Sequence, residues 1–261
     1  FEYISLHKNP GLARYFIFIS FKGTSYHGWQ LQPRALTVQE VLDEALSLIL
    51  SEKICTTGAG RTDAGVHASF FCAHFDSSFP DLDNKRNFVF KLNRFLPDDI
   101  SVKEIRKVIP DANARFSAVS RTYKYFISRT KDPFTYDSSW FIHGPLDVEN
   151  MNKVSALLMN YSDFTSFSRL HSGNLTNICR VYNAFWTNEE KSLIFTIRAD
   201  RFLRNMVRAL TGTIVNVGKG KISAGEFEMI IQAKDRGRAA MSAPAKGLFL
   251  TDIEYRQEIF V

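Results

Sequence analysis

The sequence predicts an α+β protein, with helices on one face of a mainly antiparallel sheet. Two observations lead to this prediction: runs of aromatic and branched residues typical of strands, and runs whose apolar residues recur at helical spacing. Both kinds of run occur in each half of the chain, in the mixture typical of this class. The similar content of the two halves is compatible with an old duplication, although no residue-level repeat is visible.

In the first half, residues 14–21 are aromatic and branched and predict a strand. The first helix is expected to begin at Thr37, because this N-cap residue is followed three positions later by Glu40, which completes a capping box. The same signals predict the other first-half elements, which are strands at 54–57, 66–75 and 100–109 and a helix at 85–95.

In the second half, Asp147 is expected to cap a helix that carries Met151 and Val154 on its apolar face. A turn-rich loop at 130–145 indicates a domain transition in this part of the chain, and we divide the chain into residues 1–115 and 116–261. The other predicted elements are strands at 121–129, 180–186, 193–199 and 248–255, a long helix at 202–217 and a helix at 224–233.

Composition narrows the class of protein. The 261 residues are 45% hydrophobic and 23% charged, which is ordinary for a globular chain and excludes disordered, collagen-like and disulfide-scaffold proteins. No apolar run approaches the roughly 20 residues that span a bilayer. Residues 1–10 lack the apolar stretch of a signal peptide, and their missing Met predicts a processed or trimmed start. Three scattered cysteines indicate a reducing cytoplasm, and the net charge of +6 is weak evidence for a polyanionic partner.

The most informative stretch is the Gly-rich segment at 58–68 (GAGRTDAGVHA). It lacks the Gly-Lys-Ser/Thr of a phosphate-binding loop, and Asp63 stands where a dinucleotide fingerprint needs Gly. We expect the loop to hold Asp63 rigidly at a sheet edge. Arg61 nearby favours the ionised carboxylate, which suits a nucleophile, although most Gly-Asp loops are simply tight turns with an Asp-backbone hydrogen bond.

The Gly-rich segment resembles the catalytic loop of the tRNA pseudouridine synthase A family. The match is specific, and further segments agree in order along nearly the whole chain. Two departures are Asn113, where the family often has His, and the apolar Ala35-Leu36 before the first helix. The agreeing segments are 26–30 (YHGWQ), 96–100 (LPDDI), 114–118 (ARFSA), 121–125 (RTYKY), 163–167 (DFTSF), 204–208 (RNMVR) and 247–248 (GL).

The resemblance implies a fold and a reaction. The fold is a ferredoxin-like duplication, the pseudouridine synthase fold. It has two similar halves, each a mainly antiparallel sheet with helices on one face, and the active cleft lies between them. The reaction is isomerisation of uridine to pseudouridine in the anticodon stem-loop of tRNA, at positions 38 to 40, with the base flipped out of the stack. It involves no redox change and no net hydrolysis, so we expect neither a metal nor an organic cofactor.

The resemblance also implies roles for five residues. Asp63 is the catalytic aspartate, acting on the ribose, on the base or by a glycal route, and Arg208 pairs with it. Tyr123 stacks on the target base and is a candidate general base, and Leu248 packs against it. Arg61 either steers Asp63 or enters the space that the flipped nucleotide leaves. From residue types alone, Arg61 and Arg208 would be read as salt-bridge partners, and Tyr123 and Leu248 as sheet and core residues.

The expected partners are tRNA and a second copy of the chain, because the family normally works as a homodimer. A zinc site made of His67, Cys72 and His74 is disfavoured, since no fourth ligand falls at useful spacing. A non-catalytic RNA-binding module and an aspartate-dependent hydrolase remain the competing interpretations. The residues expected to contact the RNA backbone are Lys22, Arg34, Arg121, Lys124, Arg201, Arg204, Lys219, Lys221, Arg236 and Arg238.

Overall fold

The computed structural model describes residues 11–169 and 175–261, and within these it contains nine strands and five α-helices. The expectation for residues 1–10 lies outside the described residues. None of the helices in the described ranges is long and apolar enough to cross a membrane. The strands are β1 Ala13–Phe21, β2 Thr57–Gly58, β3 His67–Ser77, β4 Ile100–Val108, β5 Ala118–Ser128, β6 Trp140–Phe141, β7 Val181–Asn188, β8 Ser192–Ala199 and β9 Leu248–Tyr255. The helices are α1 Val38–Leu50, α2 Arg86–Phe95, α3 Val148–Leu157, α4 Met206–Gly218 and α5 Ala224–Ala233.

All nine strands belong to one sheet, whose main order is β4-β1-β3-β9-β5-β8-β7. Most neighbours are antiparallel, but β3 and β9 run parallel and pair at only two positions, His67 with Phe249 and Ala68 with Leu250. The α+β class and the mainly antiparallel pairing are confirmed. The finer prediction of two similar halves, each with its own sheet, is not confirmed, because β9 inserts between β3 and β5 and joins the two sets of strands in one sheet.

Two hydrophobic cores lie along this sheet. The first combines α1 and α2 with β1, β3 and β4, and the second combines α3, α4 and α5 with β5, β7 and β8. Strand β9 serves both, since Leu248 belongs to the second core while Leu250 and Ile253 belong to the first. Tyr123 packs against both cores and therefore lies where they meet. The division at residues 115 and 116 stays a prediction.

Two predicted helix starts are confirmed by their caps. The Thr37 hydroxyl accepts a hydrogen bond from the Glu40 amide at the start of α1, which is one half of the predicted capping box; the return bond from the Thr37 amide to the Glu40 side chain is not found in the described structure. The Asp147 carboxylate accepts one from the Asn150 amide at the start of α3. Each cap satisfies an amide that the first helical turn leaves without a partner.

Helix α4 differs from its prediction, because it begins at Met206 and not at residue 202. Asn205 adopts the left-handed conformation, with φ at 66°, which no residue inside an α-helix can hold. Its side-chain amide donates to the Ser242 hydroxyl at 2.6 Å and fixes this turn. Residues 201–205 therefore form an irregular segment. The predicted strand at 54–57 is also displaced, since only residues 57 and 58 pair with β3.

Candidate active site

A cleft of about 660 Å³ lies beside the place where the two cores meet. Its walls come from the loop between β2 and β3, the start of β5, the irregular segment before α4, α4 itself and β9. All five site residues expected from the sequence line it: Arg61, Asp63, Tyr123, Arg208 and Leu248. They come from four separate parts of the chain, so it is the tertiary fold that brings them together in one cleft.

The Asp63 loop is fixed by close contacts with residues 26–29. The Gly65 amide donates to the Tyr26 carbonyl at 3.2 Å, and the Trp29 amide donates to the Thr62 hydroxyl at 2.9 Å. Gly28 has φ at 91°, and a Cβ there would lie 2.2 Å from the Thr62 carbonyl oxygen. The two segments can approach this closely only with Gly at position 28.

The sequence led us to expect the Asp63 loop at a sheet edge, and this prediction is wrong. The loop leads into β3, which lies inside the sheet between β1 and β9. The short β2 pairs with the far part of β3, at His74 and Ala73, while β9 pairs with the beginning of β3. Asp63 is therefore held beside the junction of the two halves of the sheet, which is where the cleft opens.

Two arginines face the Asp63 carboxylate. The Arg208 Nη1 lies 3.0 Å from Asp63 Oδ2, and the Arg204 Nε lies 3.8 Å from Oδ1. The Arg208 Nε also donates to the Ala243 carbonyl at 2.8 Å, which orients the guanidinium. The Asp63 side chain is 21% exposed, so these charges act where water screens them only partly. The carboxylate is open to the cleft while two cations balance its charge.

The place of Arg204 was missed at the level of the sequence, where it was assigned only to the RNA backbone. The available signal was its spacing of four from Arg208 within RNMVR, which would put both side chains on one face of a helix. The spacing would have identified the correct two arginines, but for the wrong reason, because Arg204 precedes α4 and is not part of the helix. The turn at Asn205, and not a helical repeat, brings Arg204 to Asp63.

Tyr123 presents its ring to the cleft from β5. The Phe202 ring packs edge-on against it, with 5.1 Å between centroids, so Phe202 is a second aromatic wall that the sequence did not single out. Burial, reinforced by the Asp63 charge and opposed by Arg121, raises the pKa of Tyr123 to about 12. The phenol is therefore neutral at physiological pH and can donate a hydrogen bond. No partner for its hydroxyl occurs within residues 11–169 and 175–261.

Leu248 and Arg61 differ in exposure. Leu248 is buried at the start of β9, where it pairs in register with Tyr125, while Leu250 pairs with Tyr123. Arg61 is exposed on the cleft wall, and no ion pair to it occurs in the described part of the chain. The salt bridge considered for Arg61 is therefore not found there, and its guanidinium is open to a ligand.

Arg121 was expected to contact RNA, but its guanidinium is used inside the protein. It donates to the Asp200 carbonyl at 2.8 Å, the Ala59 carbonyl at 3.1 Å and the Arg115 carbonyl. Burial lowers the pKa of Arg121 from its usual value. These bonds link β5 to the Gly-rich loop, so Arg121 positions the loop that carries Asp63.

Two histidines near the loop, His67 and His74, are also used internally. His67 Nδ1 accepts from the Gly23 amide at 3.0 Å, so Nε2 carries the proton and faces the Lys246 carbonyl at 3.1 Å. His74 Nδ1 accepts from the Ala114 amide. Burial lowers the pKa of His67, and lowers that of His74 to about 4, so both are neutral at pH 7. Over the described ranges, no three His, Cys, Asp or Glu side chains are placed to hold a metal ion.

The Asp63 loop also lines a second, basic cleft of about 690 Å³. This second cleft shares Asp63, Arg204 and Arg208 with the first cleft, and it adds Arg169 and Arg236. Arg236 is held by the Ala239, Ala240 and Ser242 oxygens. The surroundings of Asp63 are therefore strongly positive, which suits a polyanionic ligand.

Comparison with known proteins gives a consistent picture. A family model described as tRNA pseudouridine synthase matches residues 160–256. A protein of Bacteroides fragilis named tRNA pseudouridine synthase A is 52% identical, over 95% of this chain and 99% of its own. Proteins of the same name from Bacteroides thetaiotaomicron and Parabacteroides distasonis are 50% and 48% identical over 95% of this chain, covering 93% and 98% of theirs.

Proposed function

Because the chain belongs to the tRNA pseudouridine synthase A family, we propose that its cleft isomerises uridine to pseudouridine in tRNA, at the anticodon stem-loop. The observation that carries this proposal is the carboxylate of Asp63, open to a cleft, paired with two arginines and accompanied by Tyr123. A module that only binds RNA gains nothing from a carboxylate that faces a polyanion. A hydrolase would need a second carboxylate or a His to activate water. Asp200, the other carboxylate on the cleft wall, accepts hydrogen bonds from the Arg180 and Arg201 amides, and His67 and His74 are engaged elsewhere.

The proposed reaction requires no electron transfer. The bond between ribose C1′ and uracil N1 breaks, the base rotates, and C1′ joins C5 of the same base. The hydrogen on C5 leaves as a proton and N1 gains one, so atoms and charge balance. Asp63 stabilises or captures the electron-poor sugar or base, and Arg208 and Arg204 keep its negative charge tolerable beside RNA phosphates.

Tyr123 holds the base in this proposal. A flat ring backed by Phe202 gives the detached uracil a surface to stack on, worth roughly 1–3 kcal/mol for each base. The pKa of its phenol is about 12, so the hydroxyl is protonated at physiological pH. Tyr123 therefore acts mainly through stacking and hydrogen bonding and not as a base. Leu248 closes the apolar side of the pocket, and Arg61 enters the space that the extruded nucleotide leaves.

We also propose that two copies act together on one tRNA in the cytoplasm. One chain has a net charge of +6, and a homodimer would offer twice that to the anticodon arm. The three cysteines are free thiols, and the exposed Cys55 suits a reducing compartment. Light scattering with and without tRNA tests the stoichiometry, and one chain bound to each tRNA would contradict it.

The release of the C5 hydrogen gives a direct test of the reaction. An unmodified tRNA transcript carrying tritium at uridine C5 is mixed with an excess of the wild-type protein. We expect tritium to appear in water at one or a few equivalents for each tRNA. Tight binding of tRNA without any release would overturn catalysis and leave an RNA-binding module.

A further inference from the structure

Phe116 is an aromatic side chain on the cleft wall for which the chemistry above has no use. It is 78% exposed, yet it lines the same cleft as Asp63 and Tyr123. Arg115 and Val119 line the wall beside it. A ring this exposed contributes little to the stability of the fold, because almost none of its surface is removed from water.

The turn that carries Phe116 is rigid. The Asn113 side-chain oxygen accepts hydrogen bonds from the Arg115 amide at 2.9 Å and the Phe116 amide at 3.2 Å. The Ser117 amide donates to the Asn113 carbonyl, and the Ser117 hydroxyl accepts from the Asn113 amide, both at 2.9 Å. The Arg115 carbonyl accepts from Arg121. A backbone fixed in this way presents the ring to the cleft and pre-organises it for a ligand.

Arg115 gives the ring a charged neighbour. Its guanidinium carbon lies 5.3 Å from the Phe116 ring centroid, and the described ranges contain no ion pair to it. A flat ring next to a free guanidinium offers a surface for a base and a donor for the adjoining phosphate. Proteins that bind unpaired nucleotides combine these two groups.

We propose that Phe116 and Arg115 form a stacking platform for an unpaired nucleobase of the tRNA, beside the uridine that Tyr123 holds. This inference rests on the proposed function, because it takes tRNA as the ligand of the cleft. Phe116 stacks on the base and Arg115 binds the phosphate of the same strand. Since every base has a π-face, the platform tolerates tRNAs of different sequence.

Substitutions at Phe116 test the platform by the affinity for a synthetic anticodon stem-loop. We expect Phe116→Ala and Phe116→Leu to bind about tenfold more weakly, while Phe116→Tyr and Phe116→Trp bind like the wild type. Phe90→Ala is the matched control, because Phe90 is 65% exposed on α2 and does not line the cleft. Wild-type affinity in Phe116→Leu would mean apolar packing without stacking and would overturn the proposal, as would wild-type affinity in Phe116→Ala.

Abasic RNAs identify the stacked base. Stem-loops that each lack one base of the loop are bound to the wild type and to Phe116→Ala. The loss caused by Phe116→Ala should disappear on the RNA that lacks the stacked base, because the two changes remove the same contact. A loss that persists on every RNA would show that no single base stacks there and contradict the platform.

Separate assays test the stacking platform and the proposed reaction, so either proposal can be contradicted without the other. Tritium release by the wild type at saturating protein tests the reaction, and the affinity ratios test the platform. If the wild type releases no tritium but Phe116→Ala binds more weakly, the reaction is wrong and the platform stands.

Discussion

At the scale of single residues, the balance of charge around Asp63 decides what the cleft can do. A lone carboxylate would repel the phosphates of an approaching RNA, whereas Asp63 faces Arg208 at 3.0 Å and Arg204 at 3.8 Å. Asp63 and Arg208 could be picked out from the sequence because they stand within specific motifs. Arg204 could not be placed, because its contact depends on a turn that residue types do not reveal.

For Tyr123→Phe, we expect tRNA affinity close to that of the wild type and turnover reduced about tenfold or more, because stacking survives while the hydroxyl is lost. The pKa of Tyr123 is raised to about 12, so the wild-type phenol stays neutral below that pH. The wild-type single-turnover rate should therefore not climb with pH between about 7 and 9 through this group. A tenfold rise for each pH unit that Tyr123→Phe abolishes would contradict this and assign a phenolate base.

Substitutions of Arg121 and Arg61 should have opposite effects on stability and on turnover. Arg121→Met leaves three carbonyls without their donor, and it should lower the free energy of unfolding by about 2–4 kcal/mol. Arg61→Ala removes an exposed group without an internal partner and should change stability by less than about 0.5 kcal/mol while it slows turnover. Urea unfolding and tritium release measure both. An unstable Arg61→Ala, or a fully stable Arg121→Met, would reverse the two roles.

At the scale of elements, the sequence correctly predicted the helix starts that depend on contacts between residues close in the chain. Helices α1 and α3 begin at the predicted caps because Thr37 and Asp147 bond to amides three residues away. The start of α4 was misplaced because Phe202 and Leu203 extend its apolar pattern, although they pack for other reasons. Phe202 lies against Tyr123, and Leu203 is buried in the second core. A left-handed Asn205 leaves no trace in such a pattern.

Asn205 should act as a positioning residue for the two arginines. A left-handed residue with a Cβ costs about 1–2 kcal/mol, and the Asn205 side chain offsets this through Ser242. We expect Asn205→Ala to slow turnover more than it weakens tRNA binding, and Asn205→Gly to recover part of the rate, since Gly adopts this conformation freely.

The matched control for Asn205 is Ser51→Gly, at another left-handed position, the C-cap of α1 away from the cleft. It should leave turnover unchanged. Single-turnover rates and tRNA affinities distinguish the variants. If Asn205→Ala affects affinity and rate equally, or if Asn205→Gly is no better, the turn does not position the arginines.

At the scale of the whole molecule, one sheet places the Asp63 loop and the Tyr123 strand side by side. That arrangement depends on β9, which pairs with β3 at only two positions and with β5 along most of its length. The sequence predicts β9 as a strand but not its neighbours, because pairing between distant strands leaves no local periodicity. The prediction of a cleft between the two halves came from the family resemblance and not from the pattern of residues.

The distribution of charge over the whole molecule predicts a strong dependence of tRNA binding on salt. Each phosphate that a Lys or Arg neutralises releases counterions, so affinity should fall at least about tenfold between roughly 50 and 200 mM salt. Arg115→Ala should reduce the slope of log affinity against log salt by about one, because Arg115 is the residue proposed to bind a phosphate. Lys153→Ala is the control, because Lys153 pairs with Glu149 on α3 outside the cleft. Equal affinity at both salt concentrations would contradict binding through phosphates.

The central claim is that Asp63 in this cleft converts uridine to pseudouridine in the anticodon stem-loop. Pseudouridine mapping at single-nucleotide resolution tests it most directly, on an unmodified tRNA transcript treated with the wild type or with Asp63→Asn. Asn has nearly the shape of Asp but neither its charge nor its nucleophilicity, so we expect pseudouridine in the anticodon arm from the wild type alone, with tRNA affinities within a few-fold. Substantial modification by Asp63→Asn would contradict the role of Asp63, and modification by neither protein would contradict the proposed reaction.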